Sequence, residues 1–339
     1  MLKRLMFVVG ALAVLAGGLA GWEWWRLERP YRGFTEADVF VDLPTGDSVA
    51  AMATKLADAG VVPDAFTFRL AARLSHTDRR LNAGEYRFTA AATPYDVAAR
   101  LARGDVYRIG VVFPEGLTIA EMASIFAASG LGTAEEFTRA AADTLPIASY
   151  DPAATDLEGY LFPDSYAFSR HVGADAAVRA MVKAFEHAVG TADFRAAAVA
   201  QGMSLRDVVT LASMIEKETA RPEERPLVSA VFHNRLKLRM PMQCDPTVIY
   251  ALMRAGRWNG NVTHADLQIN SPYNTYRYGG LPPGPIAAPG LASLTAAVHP
   301  ADVPFLYFVS RNDGTHVFAA TLAEHNRNVQ RFQIKRGPR

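Results

Sequence analysis

The sequence has few of the residues from which disulfides and metal sites are built. Cys244 is the single cysteine in 339 residues, which excludes an internal disulfide framework and a cysteine-based metal cluster. The eight histidines are scattered, and no HExxH or comparable pair occurs among them. The net charge is +1 with no long basic run, so the electrostatic footprint of a nucleic-acid binder is missing. We therefore expect no metal, no cofactor and no nucleic-acid partner.

Hydrophobic residues, in contrast, are plentiful. They make up 50% of the chain, and only 20% of the residues are charged. This composition excludes wholesale disorder, and the length is sufficient for two or three compact domains.

The chain opens on a hydrophobic segment. Lys3 and Arg4 precede an uncharged apolar run over residues 5–22, and Trp24 and Trp25 follow it. Eighteen residues reach the lower limit for crossing a bilayer, and the tryptophans suit its interface. The sequence therefore predicts a membrane helix at the N-terminus.

A cleaved signal peptide is the alternative, because small residues suited to a cleavage site occur at Ala16, Gly18 and Ala20. We favour an uncleaved anchor over residues 1–30. Its positive N-terminal side predicts a cytoplasmic N-terminus and places everything after Arg26 outside the inner membrane.

One stretch of the chain repeats at an offset of 70 residues. Residues 44–60 are answered by residues 114–130, and both copies predict a strand, a Pro-x-Gly turn and a capped helix. In the second copy Thr118 and Glu121 form a capping box. An aromatic strand is expected after each helical segment, at Gly84–Phe88 and at Gly159–Phe162.

Strands that alternate with short helices make each copy a small α+β module. The repeated pattern resembles LysM-like modules, which bind glycans that contain N-acetylglucosamine. We assign residues 36–108 to such a module, and residues 109–180 as a possible second copy. Glycan binding and a purely structural duplication both stay open.

The second half of the chain places one carboxylate on the apolar side of a helix. At about 100° per residue, the helix predicted over residues 204–219 puts Glu218 on one face with Leu211, Met214 and Ile215. Glu216 is expected to point the other way, so that its replacement is mild. A carboxyl group among apolar neighbours has a raised pKa and can serve as a general acid. The alternative is that Glu218 ends the helix and pairs with Arg221 or Arg225.

Further along, a glycine- and proline-rich segment predicts a shaped loop at Ser271–Gly290, since proline removes backbone donors and glycine weakens regular elements. Its tyrosines and asparagine suit sugar rings and hydroxyl groups, although the tyrosines could equally pack on the core. Asp245 is either the N-cap of a helix or a second site residue. The remaining elements expected in this half are a helix, two hairpin strands and a last helix, at residues 224–238, 305–309, 316–318 and 322–332.

Several long motifs occur together in a fixed order: LEGYLFPDSY (Leu157–Tyr166), LASMIEKETA (Leu211–Ala220), VFHNRL (Val231–Leu236), QCDPTVIYAL (Gln243–Leu252) and SPYNTYRYGGLPPGPIAAPG (Ser271–Gly290). With them the chain resembles, from end to end, the endolytic murein transglycosylase family, also called the YceG-like or MltG family. The resemblance implies an α+β protein whose catalytic domain, residues 109–339, carries an active-site helix and the long loop. It also implies that Glu218, the second glutamate of the EKET segment, is catalytic. Candidates for the substrate cleft are Tyr273, Asn274, Tyr276, Gln243, Asp245 and Glu158.

The activity implied is that of a lyase on peptidoglycan strands. The resemblance implies cleavage between N-acetylmuramic acid and N-acetylglucosamine without water, with Glu218 as acid and then base, and a 1,6-anhydromuramyl end as product. Peptidoglycan synthases of the elongation machinery are plausible partners. Two alternatives stay open: a non-catalytic glycan receptor, and a muramidase that uses water with Glu158, Asp164 or Asp245 as its second carboxylate.

Overall fold

The computed structural model describes residues 2–334, apart from the side chains of residues 2, 3 and 192. The last five residues of the predicted catalytic domain, 335–339, lie outside the described residues. The chain divides into two compact units, one up to Ile109 and one from Gly110 onward. Both mix helices with short strands, so the protein is α+β.

The first unit packs helices against a two-stranded sheet. Strands β1 (Val39–Leu43) and β2 (Gly84–Phe88) are antiparallel, with Val39 opposite Phe88. The helices of this unit are α1 (Leu2–Glu28), α2 (Val49–Asp58), α3 (Ala65–Leu74) and α4 (Pro94–Arg103). Three of them begin at a side chain that accepts a backbone N–H three residues on, namely Ser48, Asp64 and Thr93. The core of the unit is centred on Leu43, Phe68 and Tyr86, which are fully buried.

Helix α1 carries the apolar N-terminal segment. Residues Arg4–Glu28 have a mean hydropathy of 2.1 over their most apolar window, and none of that window is buried. The last turns of the helix are tied to the unit, because Leu27 is buried and Glu23 accepts a hydrogen bond of 3.1 Å from Thr67. This helix is consistent with a single-pass membrane anchor.

The second unit is built around one buried helix. Its helices are α5 (Ile119–Ala128), α6 (Ala134–Ala141), α7 (Ala174–Val189), α8 (Ala192–Ala200), α9 (Leu205–Glu218), α10 (Arg225–Lys237), α11 (Asp245–Arg254), α12 (Leu291–Val298) and α13 (Leu322–Val329). Every residue of α9 from Val208 to Ile215 is buried, and the helix packs against α10, α11 and α12. Helix α9 therefore forms the centre of the core that positions the residues at its end.

Two short sheets complete the second unit. Strand β3 (Ile109–Val112) pairs with β4 (Ser165–Phe168), and β5 (Tyr307–Ser310) pairs antiparallel with β6 (His316–Ala319). The register of β5 and β6 sets Ser310 opposite His316.

The internal repeat has a structural counterpart. Helices α2 and α5 each span ten residues, and each follows a strand and a Pro-x-Gly turn. The turn glycines, Gly46 and Gly116, both have positive φ, 97° and 78°. The predicted capping box of Thr118 and Glu121 is present. The resemblance of these copies to LysM modules stays a prediction.

Several predicted boundaries need correction. No strand forms at Gly159–Phe162, because Gly159 adopts φ +82° in a turn and Pro163 follows, and the aromatic strand of this region is β4 instead. The segment preceding α10 is a 3-10 turn, Pro222–Glu224, and β5 begins two residues later than expected. Asp245 is the first residue of α11 and not its N-cap, a position that Cys244 occupies without a capping hydrogen bond.

Gly159 gives a test of how tightly the second unit is packed. A Cβ on this residue would lie 2.4 Å from Cβ of Pro285 and 3.0 Å from Cγ1 of Val209, at a backbone angle that L-residues rarely adopt. We expect Gly159→Ala to lower the free energy of unfolding by roughly 2–4 kcal/mol, measured by chemical denaturation. The control is Gly279→Ala, where nothing lies within 4 Å of the added Cβ. Equal stability of the two variants would contradict this packing.

Candidate active site

Helix α9 ends at Glu218. The next residue, Thr219, is extended, although its N–H still donates to the carbonyl of Ile215 at 3.3 Å. Proline at position 222 then prevents the helix from continuing. Glu218 is thus held by a rigid, buried helix and projects from its C-terminal end, where the helix dipole disfavours a negative charge.

A cleft of about 360 Å³ opens beside this carboxyl group. Its walls come from α9, α10, the start of α11 with the segment before it, the long loop, the β5–β6 hairpin and α13. The residues that line it are Glu218, Arg235, Met242, Gln243, Asp245, Tyr276, Phe308, Val309, Ser310, His316 and His325. The cleft is therefore mixed in character, with charged groups, hydroxyl groups and aromatic faces, as ligand sites generally are.

The surroundings of Glu218 favour its protonated form. Burial of the carboxyl group is the largest influence, and it raises the pKa of Glu218 to about 7. The negative charge of Asp245 raises that pKa further, whereas the thiol of Cys244, the positive charge of Arg235 and the protonated form of the His316 ring oppose the rise. At neutral pH this group can both give and take a proton.

Three of the residues nominated from the sequence share the cleft with Glu218. Tyr276 donates a hydrogen bond of 2.6 Å to Oδ1 of Asp245. Gln243 has φ +50°, an uncommon angle for a side-chain-bearing residue, and its N–H donates to the carbonyl of Thr275 at 3.2 Å. The long loop therefore fixes one wall of the cleft.

The other three nominated residues lie elsewhere. Glu158 lines a different cleft, of about 390 Å³, where it accepts hydrogen bonds from the N–H of Ile119 at 3.1 Å and the hydroxyl of Tyr250 at 3.2 Å. Burial raises the pKa of Glu158 to about 8. Tyr273 packs against Tyr250, with ring centroids 5.0 Å apart. Asn274 is fully buried and braces the loop with hydrogen bonds of 2.9 Å to the carbonyls of residues 267 and 269.

Comparison with known proteins assigns the chain to a family. Residues 41–331 match the sequence profile of the YceG-like family. The chain belongs to the YceG-like family. A relative from Bacillus subtilis (strain 168), named endolytic murein transglycosylase, is 31% identical over 322 residues, 90% of this chain and 88% of the relative.

Two further relatives of this YceG-like protein agree. A protein of the same name from Streptococcus pneumoniae (serotype 2, strain D39) is 28% identical over 359 residues, and the match covers 95% of this chain but 64% of that longer protein. The crystal structure of a yceG-like protein from Listeria monocytogenes is 32% identical and superposes with a TM-score of 0.59, covering 86% of this chain and 99% of that one.

Glu216 has a structural partner in this YceG-like protein. Its carboxylate accepts hydrogen bonds from Nη2 of Arg225 at 2.9 Å and from the N–H of Gly290 at 3.0 Å. Only 6% of the Glu216 side chain is exposed, so removing its charge would leave Arg225 buried with weaker pairing. The expectation that replacing Glu216 has a mild effect on turnover stays a prediction, whereas the buried pair with Arg225 predicts a loss of stability. Arg225 is engaged here and Arg221 pairs with Glu223, so within residues 2–334 no ion pair reaches Glu218.

The sequence did not single out the cleft residues Arg235, His316 and His325. Arg235 lies within the VFHNRL motif, and its guanidinium donates to the carbonyls of Leu306, Pro241 and Met242. His316 and His325 come from the C-terminal hairpin and helix, about a hundred residues beyond Glu218. No periodicity connects residues so far apart, and only the fold brings them together. Among the described residues, no group of three or more His, Cys, Asp or Glu side chains is arranged to hold a metal ion.

The raised pKa predicts how Glu218 affects stability. In the unfolded chain this carboxyl ionises near its ordinary value of 4.5, and in the folded protein near 7, so the folded state bears the cost of a buried anion above about pH 7 and not below about pH 4.5. We expect Glu218→Gln to raise the free energy of unfolding by roughly 1–3 kcal/mol at pH 8 and to leave it almost unchanged near pH 4.5.

Denaturant unfolding at the two pH values measures this effect. Glu216→Gln is the matched control and should show the opposite sign at pH 8, because it removes the charge that compensates Arg225. A Glu218→Gln protein that is less stable than the wild type at pH 8 would contradict the assignment of a buried, destabilising anion.

Proposed function

We propose that this protein is a membrane-anchored endolytic lytic transglycosylase. It cleaves the bond between N-acetylmuramic acid and N-acetylglucosamine within peptidoglycan strands, without water, and leaves a 1,6-anhydromuramyl end that terminates a growing strand. The names of the relatives from Bacillus subtilis and Streptococcus pneumoniae support a murein transglycosylase activity. The chemistry is supported by the residues of the cleft.

The observation that carries the proposal is the position and pKa of Glu218. A carboxyl group with a pKa of about 7 holds a proton in about half of the molecules at neutral pH, and it becomes a competent base once that proton has left. It faces a cleft that is open to a ligand and lined by hydrogen-bonding groups. Acid–base catalysis at a glycosidic bond needs such a group.

The reaction can be written with one carboxyl group. Glu218 gives its proton to the bridging oxygen, the bond from that oxygen to C1 of the muramyl residue breaks, and positive charge develops at C1. The oxygen of the C6 hydroxyl of the same sugar then bonds to C1, and the proton of that hydroxyl passes to the Glu218 carboxylate. Glu218 ends protonated as it began, so no water, metal or second carboxylate is consumed.

The polar groups around Glu218 suit this charge change. The positive charge of Arg235 lowers the pKa of Glu218 and so stabilises its carboxylate, while Asp245 acts against it. As a result the protonated and the ionised forms of Glu218 have similar free energies near neutral pH, which favours proton transfer in both directions.

A muramidase that uses water is the alternative with a specific observation in its favour. Asp245 lines the same cleft as Glu218 and could serve as a second carboxylate. Its Oδ1 is engaged by the hydroxyl of Tyr276, which lowers its availability as a base or nucleophile. Glu158 and Asp164 do not line this cleft. The products distinguish the two reactions, because a muramidase leaves reducing ends and a transglycosylase leaves anhydro ends.

The proposal includes a location. With α1 as an uncleaved anchor and its N-terminus in the cytoplasm, the catalytic unit lies outside the inner membrane, beside newly made glycan. The tether raises the effective concentration of the cleft near that glycan. Synthases of the elongation machinery are proposed neighbours, and LysM-like glycan binding by the repeated modules is proposed as an aid to substrate capture. If those modules made the protein a receptor without catalysis, purified murein would stay uncut.

Replacement of Glu218 tests the assignment. We expect Glu218→Gln to remain folded and to lose about 10²–10⁴-fold in turnover, because the amide can neither give nor take the proton. The measurement is mass spectrometry of the ends released from purified murein, where an anhydro end is lighter than a reducing end by the mass of one water. Glu223→Gln is the matched control, since that carboxylate is 68% exposed on the same segment. Similar losses in both variants would remove Glu218 from its proposed role.

The pH dependence of catalysis gives an independent test. Since the protonated form of Glu218 starts the reaction, kcat/KM should fall about tenfold per pH unit above about pH 7. Asp245→Asn removes a charge that raises this pKa, so it should move the fall to lower pH. A rate that keeps rising above pH 8 in the wild type would be incompatible with a protonated Glu218 at the start.

A further inference from the structure

A histidine in the Glu218 cleft is held by a carboxylate outside the cleft lining. His316 opens β6, and its Nδ1 lies 2.7 Å from Oε2 of Glu224. The backbone N–H of His316 donates to the other oxygen, Oε1, at 2.8 Å. One carboxylate therefore grips both the ring and the backbone of the same residue.

Other contacts restrict the pair further. The hydroxyl of Thr219, the residue after Glu218, donates to Oε2 of Glu224 at 3.0 Å. The ring of Phe308 meets the imidazole edge to face, with centroids 5.6 Å apart and planes at 89°. The ring of His316 is thus held by Glu224 on one side and by Phe308 on the other. Glu224 is in turn hydrogen-bonded to Thr219, the residue that follows α9.

These contacts determine which ring nitrogen is free. Burial alone would raise the pKa of Glu224, but hydrogen bonds from His316 and Thr219 outweigh it and lower that pKa, so the group is a carboxylate that only accepts. Nδ1 of His316 must then carry the hydrogen, and in a neutral ring Nε2 is an acceptor. Within residues 2–334 no hydrogen bond to Nε2 is formed, and the residue lines the cleft.

The proposed reaction needs an acceptor at this stage. Glu218 is protonated before cleavage and faces the bridging oxygen, so it cannot yet hold the C6 hydroxyl. Asp245, the other carboxylate in the cleft, accepts a hydrogen bond from the hydroxyl of Tyr276 at Oδ1, which lowers its availability to a second hydroxyl. A hydroxyl that is oriented in advance gains an intramolecular advantage over water, whereas a freely rotating one loses it.

We propose that Nε2 of His316 accepts a hydrogen bond from the C6 hydroxyl of the muramyl residue and directs its oxygen to C1, with Glu224 as the positioning residue for the ring. This inference rests on the proposed function. Once Glu218 has given up its proton, the C6 hydroxyl turns about its C6–O bond and its proton passes to the Glu218 carboxylate, so His316 keeps its protonation state. The pair therefore selects an anhydro product over hydrolysis.

Two amide variants separate the ring nitrogens. In His316→Asn the side-chain amide can still donate to Glu224 in place of Nδ1, but nothing replaces Nε2. In His316→Gln the longer side chain carries its amide oxygen toward the position of Nε2. We expect His316→Asn to lower the rate about 10–100-fold and to convert a measurable share of the products from anhydro to reducing ends. His316→Gln should regain part of both.

The readout is the ratio of the two ends, counted by mass spectrometry with the full-length enzyme and purified murein. This ratio does not depend on how much enzyme is folded, so a merely structural role of His316 would lower the rate without moving it. The matched control is His299→Asn, an exposed histidine after α12. An Asn variant with the wild-type rate and ratio overturns the inference, as does a reduced rate with an unchanged ratio.

The transglycosylase function and the role of His316 are contradicted by different results. A wild-type enzyme that produces reducing ends, or none, defeats the proposed function itself. A wild-type enzyme that produces anhydro ends, together with an Asn variant that produces them in the same proportion, defeats only the role of His316.

Discussion

The site depends on a poorly hydrated carboxyl group at the end of a helix that is itself buried. Helix α9 has eight consecutive buried residues, Val208–Ile215, so it cannot shift or fray without disturbing the core of the second unit. Glu218 is the first residue beyond that buried run whose side chain reaches the cleft. The pKa of about 7 follows from this position, and the energetic cost of the buried anion is borne by the packing of the rest of the helix.

The residues on either side of Glu218 show why it alone faces the cleft. Glu216 is bound by Arg225 and by the N–H of Gly290, and Lys217 donates to the carbonyl of Gly116 at 3.0 Å. Thr219 donates to Glu224. Each neighbour is therefore fastened to a different segment, which holds the C-terminal turn of α9 in one orientation.

The sequence was a good guide to what is local. The capping box of Thr118 and Glu121 and the strand at Gly84–Phe88 are confirmed, because each depends on residues close together in the chain. Contacts between segments far apart in the chain could not be predicted from the sequence. The attachment of Glu216 to Arg225, the Glu224–His316 pair and the position of Glu158 in another cleft arise from packing between distant segments.

Glu158 and Glu218 are both buried carboxyl groups, but their hydrogen bonding differs. Burial raises the pKa of both, to about 8 and about 7. However, Glu158 has a backbone donor on one oxygen and the Tyr250 hydroxyl on the other, so each of its oxygens already accepts a hydrogen bond within the fold. Among the described residues, Glu218 has only the thiol of Cys244, a weak donor, as a hydrogen-bonding neighbour. Polar side chains line the cleft beside it. A raised pKa therefore marks burial in both cases, and it is the unfilled hydrogen-bonding capacity beside an open cleft that points to Glu218.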